Sequence, residues 1–301
     1  MRMAKRGAAK KEEPASDVET LYFRSDSAYL CLVLNRRTQF IRVIDFRAGA
    51  LPSKRLYIQS VAKREGVRKV ITLVEKDEVS SWTRVGFVRE GTIPGFYKRS
   101  DGHLCGCVID SDTSSVEVTD DSQKLAERTI NAARRDAKNI PDVIKGATCY
   151  EIDAVYGYEF RDEAIAQNDA LHTFDPFGRD ADRIFYQVTM KDTSTNVISA
   201  EYQDCFGHAL IEMLYAPEQP SEIIAATAGL RALGDDLTSR GIVAGFSFIP
   251  VDDVETSTAY VAAGFRKTGL LAEGVLVGGQ RKDAILYTRK LANPGEDEPI
   301  D

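Results

Sequence analysis

Apolar runs alternate with polar and glycine-bearing breaks along most of the chain, and their spacing predicts alternating strands and helices. Ala28–Asn35 and Gln39–Phe46 are rich in Val, Ile, Leu and Phe and flank Asn35-Arg36-Arg37, the pattern of a hairpin. Pro52 opens a helical pattern through Arg64, with Leu56, Ile58 and Val61 apolar, and Gly66 stops it. Arg68–Glu75 reads as a strand, Asp77–Val85 as a short helix closed by Gly86-Phe87, and Phe87–Ile93 and His103–Ile109 as two more strands.

The second half repeats the alternation. Ser111–Asp121 is an acidic, Ser/Thr-rich linker, and Asp121–Lys138 is a charged helix with a thin apolar face. A helix is expected over Ile152–Leu171, then strands at Arg183–Met190, Asn196–Tyr202 and His208–Tyr215. Pro220–Ser239 is a long helix ending at Gly241, Ile242–Pro250 a strand, and Glu255–Ala263 a short helix ending at Gly264-Phe265. Phe265–Leu271 and Asp283–Leu291 close the pattern as strands. Met1 to about Asp26 reads as a flexible basic tail and Asn293–Asp301 as an acidic one. The expected division is therefore residues 1–26 (tail), 27–110 (first unit), 111–148 (linker and helix), 149–292 (second unit) and 293–301 (tail).

The two units share a layout. Lys63-Arg64-Glu65-Gly66 precedes strand, short helix, Val85-Gly86-Phe87, strand, turn and strand; Thr238-Ser239-Arg240-Gly241 precedes the same order around Ala263-Gly264-Phe265. Each Gly-Phe is followed by a basic residue and a further glycine, in Arg89-Glu90-Gly91 and in Arg266-Lys267-Thr268-Gly269. An internal repeat fixes architecture early: here, an α/β protein with a mixed sheet in two unequal copies.

Composition narrows the chemistry. The 301 residues are 43% hydrophobic with a net charge of −7, which suits a globular protein and not a strongly basic nucleic-acid binder. No run approaches the roughly 20 apolar residues of a membrane span. The basic, polar amino terminus has no apolar export core, so a cytoplasmic protein is expected. Five cysteines with no CxxC pair, and three histidines, disfavour a zinc ribbon or disulfide scaffold. His103, Cys105 and Cys107 would share one strand face, where buried thiols are commoner than a metal site, so no metal is expected. Signatures of phosphate-loop NTPases, serine hydrolases and zinc proteases are absent.

Gly86-Phe87-Val88-Arg89-Glu90-Gly91-Thr92-Ile93-Pro94-Gly95-Phe96 is similar to the GF-x-x-E-x-x-IPGF stretch of β-lysine N-acetyltransferases. Thr173-Phe174-Asp175-Pro176, Ser199-Ala200-Glu201 and Gly264-Phe265-Arg266-Lys267-Thr268-Gly269 add to that resemblance. Those proteins belong to the GNAT family of acetyl-CoA-dependent N-acetyltransferases and join a partial GNAT-like unit to a complete one. The resemblance implies two splayed strands that admit acetyl-CoA, whose pyrophosphate sits at the start of the next helix. It places cofactor contacts at Leu214, Tyr215, Pro220, Ser221, Glu222 and Ile223. It makes Tyr260 the acid that protonates the leaving thiolate, and Glu201 and Glu212 candidates for the base that deprotonates a small amine or amino acid such as β-lysine. Tyr260 also reads as a packing residue, because the equivalent position of the first unit is Trp82.

The family writes its phosphate turn as R/Q-x-x-G-x-G/A. Here Ala216-Pro217-Glu218-Gln219-Pro220-Ser221-Glu222 lacks the basic residue and both glycines and carries two glutamates. Two functions therefore stand side by side. One is acetyl transfer to a small-molecule amine. The other is a catalytically inactive GNAT-like module that binds a ligand or a protein partner. Neither needs nucleic acid or membrane, and a homodimer is compatible with both.

Overall fold

The computed structural model describes residues 17–26, 28–46, 51–109, 116–191 and 193–292. The chain is α/β, built on one mixed sheet of 13 strands. β1 (Val18–Arg24), β2 (Tyr29–Asn35) and β3 (Phe40–Asp45) are successive antiparallel neighbours. α1 (Leu51–Arg64) crosses to β4 (Lys69–Val74), parallel to β3. α2 (Val79–Arg84), β5 (Val88–Ile93) and β6 (Gly102–Val108) follow, with β6 between β4 and β5.

α3 (Asp120–Asp136) leads into the second half. There β7 (Ala147–Ile152) and α4 (Ala154–Gln167) precede the antiparallel strands β8 (Asp182–Met190), β9 (Asn196–Gln203) and β10 (His208–Met213). α5 (Pro220–Ser239) crosses to β11 (Ala244–Pro250), parallel to β10. α6 (Val254–Ala262), β12 (Arg266–Val277) and β13 (Gln280–Lys290) complete it, with β13 between β11 and β12. The order 2-3-4-6-5 in the first half thus recurs as 9-10-11-13-12 in the second. This is the mixed sheet in two unequal copies that the repeat predicts.

Local chemistry explains the elements. Pro220 sits at the start of α5, and Ala225, Ala226, Leu230, Leu233 and Leu237 are buried along it. Gly229 lets that helix lie close to the sheet, since a Cβ there would stand 2.4 Å from Val188 Cγ2. Gly66, Gly86, Gly241 and Gly264, the stops of the repeat, all have positive φ (67, 93, 76 and 90°), which only glycine adopts without cost. The charged helix α3 buries Ala126, Ile130 and Ala133, and Thr129 Oγ1 donates to Val251 O at 2.7 Å.

Two expectations need correction. The span read as an amino-terminal tail contains β1, whose Leu21 and Phe23 pack on the first core beside β2. The helix expected from Ile152 begins instead at Ala154, capped by Asp153, whose carboxylate accepts from Val155 N. Residues 147–152 before it are a sheet-edge strand. The proposed tail segments 1–16 and 293–301 lie outside the described residues. Among those described, no helix is long and apolar enough to cross a membrane.

The halves of the sheet meet at a single register pair, Gly91 of β5 opposite Gly269 of β12. These are the matching glycines of the repeat. Each follows a register shift, between Arg89 and Gly91 and between Lys267 and Gly269. A Cβ on Gly269 would lie 2.4 Å from Glu90 O, so the backbones approach too closely for any larger residue. Beside the seam Lys69 Nζ, fully buried, donates to Glu90 Oε1 at 2.6 Å and to Ala272 O at 2.7 Å.

Candidate functional site

The parallel strands β10 and β11 pair only at His208–Ala244, Ala209–Gly245 and Leu210–Phe246. Beyond those residues the strands part, and the backbone groups facing the gap need other partners. The chain supplies them itself. Tyr260 Oη donates to Ile211 O at 2.9 Å and accepts from Ser247 Oγ at 3.1 Å. His172 spans the strands: Nδ1 lies 2.9 Å from Met213 O and Nε2 lies 3.0 Å from Phe248 O. Leu171 N donates to Leu214 O at 2.7 Å, extending the pattern past the strand end. The gap where the family resemblance places acetyl-CoA is occupied by His172 and by the Tyr260 hydroxyl.

Tyr260 is fully buried, and burial holds its hydroxyl well above the ordinary tyrosine range. Trp82, its counterpart in the first unit, is also buried, edge-on to Phe87. Phe265 stands edge-on to Tyr260 in the same way.

The head of α5 is filled as well. Glu222 accepts from Glu218 N at 2.9 Å, from Gln219 N at 3.2 Å and from Ser194 Oγ at 2.6 Å. These bonds form a capping box with Gln219 and hold the Glu222 carboxyl below its ordinary range, Ser194 contributing most. The helix start that would attract a pyrophosphate thus carries a carboxylate of the chain. The space beside it is about 20 Å³, on the order of one water. Pro220 and Ser221 open the helix, Ile223 packs on the core, Leu214 is buried, and Tyr215 exchanges hydrogen bonds with the Asn196 side chain.

Glu201 and Glu212 come together on one guanidinium. Arg183, half-buried, donates to Glu201 Oε2 at 2.7 Å, to Glu212 Oε2 at 2.8 Å and to Ser199 Oγ at 2.9 Å. Glu201 also accepts from the Phe177 and Gly178 amides, so its oxygens are consumed in holding that loop. Glu212 borders a cavity of about 100 Å³ shared with His172 and Asp175, and burial raises its carboxyl above the ordinary range. Of the two expected bases, only Glu212 faces open space.

The first unit is different. β3 and β4 pair from Phe40–Lys69 to Val43–Thr72 and then separate. A cavity of about 610 Å³ lies between their ends and the β9–β10 turn of the second unit. Arg42, Phe96, Tyr97, Phe206 and His208 line it, with Glu75, Asp77 and Glu78 among its acidic groups. Burial, aided by the charge of Arg42, pushes the His208 ring down to about 3, so the ring is neutral. Cys105 and Cys107 sit in the apolar core, and His103 Nδ1 lies 3.2 Å from both Arg89 Nη2 and Thr92 Oγ1.

Neither a protein-family model nor a curated protein sequence matches the chain. Solved structures similar to it include a spermidine N-acetyltransferase from Vibrio cholerae in complex with CoA and spermine, with 14% identity over 50% of this chain and 98% of that one, at a TM-score of 0.38. The ribosomal-protein-S18-alanine N-acetyltransferase of Escherichia coli aligns at 15% identity over 51% and 99%, with a TM-score of 0.36. An acetyltransferase from Sphaerobacter thermophilus, itself assigned only provisionally, gives 14% over 49% and 94%, at 0.36. At these identities and scores, the activities named belong to those proteins.

Neither Arg42 nor His172 belongs to a sequence motif. The available signal for Arg42 was a cation in the middle of the apolar run Phe40-Ile41-Arg42-Val43-Ile44. His172 lies in an aperiodic segment, and its place between two strands follows from tertiary packing.

Proposed function

We propose that this chain is a GNAT-like protein that works by binding a ligand and does not transfer acetyl groups at its carboxy-terminal strand gap. The observation that carries this reading is the occupation of the gap by Tyr260, whose hydroxyl donates to Ile211 O, and by His172, whose ring lies between the backbones of Met213 and Phe248. A pantetheine chain entering there would have to displace both side chains and replace their hydrogen bonds. Glu222 at the head of α5 adds electrostatic opposition to a pyrophosphate.

A second reading, acetyl-CoA-dependent N-acetyl transfer to a small amine, draws on Glu212. A buried carboxyl with a raised proton affinity, beside a cavity, suits a general base. It requires Tyr260 and His172 to withdraw from the gap. Calorimetric titration with acetyl-CoA, paired with an assay for free thiol release in the presence of diamines and amino acids, separates the two. The binding reading expects no heat and no thiol release at millimolar acetyl-CoA. Saturable binding with thiol release overturns it in favour of the enzyme.

A further inference from the structure

Among the described residues three cations are buried, Lys54, Lys69 and Arg42, and the two lysines come with their own acids, as does the half-buried Arg183. Lys54 pairs with Asp45 at 2.7 Å, Lys69 with Glu90 at 2.6 Å, and Arg183 with Glu201 and Glu212 at 2.7 and 2.8 Å. Arg42 departs from that rule. It is 6% exposed, yet no carboxylate stands within ion-pair distance of it among the described residues. Its Nη1 makes one long bond, 3.3 Å, to Phe177 O, and its buried Nε has no hydrogen-bond partner. The guanidinium lies over the Phe177 ring, 4.3 Å from the centroid. Glu201, the acid that acts on it most, is already held by Arg183 and two backbone amides. An unpaired guanidinium at this depth is costly, and a fold keeps one where something else completes it.

Arg42 borders both cavities, and the larger, at about 610 Å³ against about 100 Å³, has room for an organic ligand. The character of the walls narrows it further. Tyr97 and Phe206 present aromatic surface, with the buried Phe96 edge-on to Tyr97. His208 stacks on Phe96 at 3.7 Å, and its Nδ1 lies 3.0 Å from Phe96 O. The neutral ring therefore donates through Nδ1 and keeps Nε2 as an acceptor. The cavity's other charges are Arg179, paired with Asp180 at 2.6 Å, Asp45, paired with Lys54, and the carboxylates Glu75, Asp77 and Glu78, which oppose a ligand's second negative charge.

We propose that this cavity binds a small organic monocarboxylate with an apolar body, the carboxylate taken by Arg42 and the body by Tyr97 and Phe206. The proposal rests on the binding reading above and gives it a site and a ligand class. Guanidinium and carboxylate make a charge-assisted, planar match, and phosphate esters are disfavoured by the acids.

Phenylacetate, phenyl phosphate and phenethylamine, titrated calorimetrically into the full chain, test it with one body and three charges. Phenylacetate is expected to bind one to one, phenyl phosphate roughly tenfold or more weaker, and phenethylamine not at all. Arg42→Met should weaken phenylacetate at least roughly tenfold and leave the melting temperature equal or higher, because an unpaired buried charge has been removed. Absence of phenylacetate binding at millimolar concentration, or equal binding by Arg42→Met, overturns the proposal. Should that variant fail to fold, the exposed Cys205 at the same cavity gives a second measurement in a Cys149→Ser background. Phenylacetate is expected to slow its modification by a maleimide severalfold, and an unchanged rate overturns the proposal. Acetyl-CoA turnover alongside intact phenylacetate binding would refute only the binding-without-transfer reading, whereas silence toward both ligands would refute only this site.

Discussion

The occupied gap between β10 and β11 makes a quantitative claim about one hydroxyl. Replacing Tyr260 with phenylalanine keeps the ring against Phe265 and removes only Oη. Two hydrogen bonds go, at 2.9 Å to Ile211 O and 3.1 Å from Ser247 Oγ, both among buried groups. At about 1 kcal/mol for each bond, with a buried carbonyl left unpaired, the loss is about 2 kcal/mol. In urea denaturation the midpoint of Tyr260→Phe should fall while the slope stays that of the wild type, because the surface exposed on unfolding is unchanged. In a thermal scan the same loss lowers the midpoint by several degrees, at roughly 2–4 °C per kcal/mol for a chain of this size class. A change smaller than about 0.5 kcal/mol, the size of an ordinary surface substitution, would refute the claim that this hydroxyl bridges the parted strands. If acetyl transfer were detected and Tyr260→Phe slowed it at unaltered stability, the hydroxyl would belong to catalysis.

Other perturbations read other parts of the molecule. Arg183→Met strands Glu201 and Glu212 without their counter-charge and should cost about 3–5 kcal/mol in denaturant unfolding; a cost under about 1 kcal/mol would dismiss the cluster as a support of the 175–178 loop. Glu222→Ala removes the reciprocal cap of α5 and should lower stability by about 1 kcal/mol, read from a thermal midpoint. His208 is neutral when folded, at about 3, but takes a proton near pH 6.5 when unfolded, so the unfolded chain binds more protons between those values and stability falls with falling pH. Going from pH 6.5 to pH 5 should cost the wild type about 1.5 kcal/mol more than a His208→Gln variant, and equal losses in urea titrations at the two pH values would contradict the assignment.

Much of the fold could be read from the chain because its punctuation is explicit. Pro220 and Gly241 bracket α5, and Gly66, Gly86, Gly241 and Gly264 end their elements in both copies, where the backbone must turn left-handed. β1 escaped because an edge strand buries little: its pattern Val18-Glu19-Thr20-Leu21-Tyr22-Phe23-Arg24 is mostly exposed or half-buried and follows a basic run. β7 escaped for the same reason at the opposite edge. The loss of the usual phosphate turn was visible in Glu218-Gln219-Pro220-Ser221-Glu222, but that Glu222 would turn back onto its own helix start was not. His172 and Arg42 act across separations of 41 and 135 residues, to Met213 and Phe177, and no local periodicity encodes such contacts.

The meeting of Gly91 with Gly269 deserves to be considered as symmetry. Equivalent positions that face one another antiparallel are what a two-fold axis leaves at the centre of a homodimer. Here both copies belong to one chain, so dilution cannot part them, and neither is bound to stay identical to the other. One copy has closed its strand gap with its own histidine and tyrosine, while the other keeps an open cleft between β3 and β4. Tethering turned an axis that would force two equal sites into one that permits two different ones.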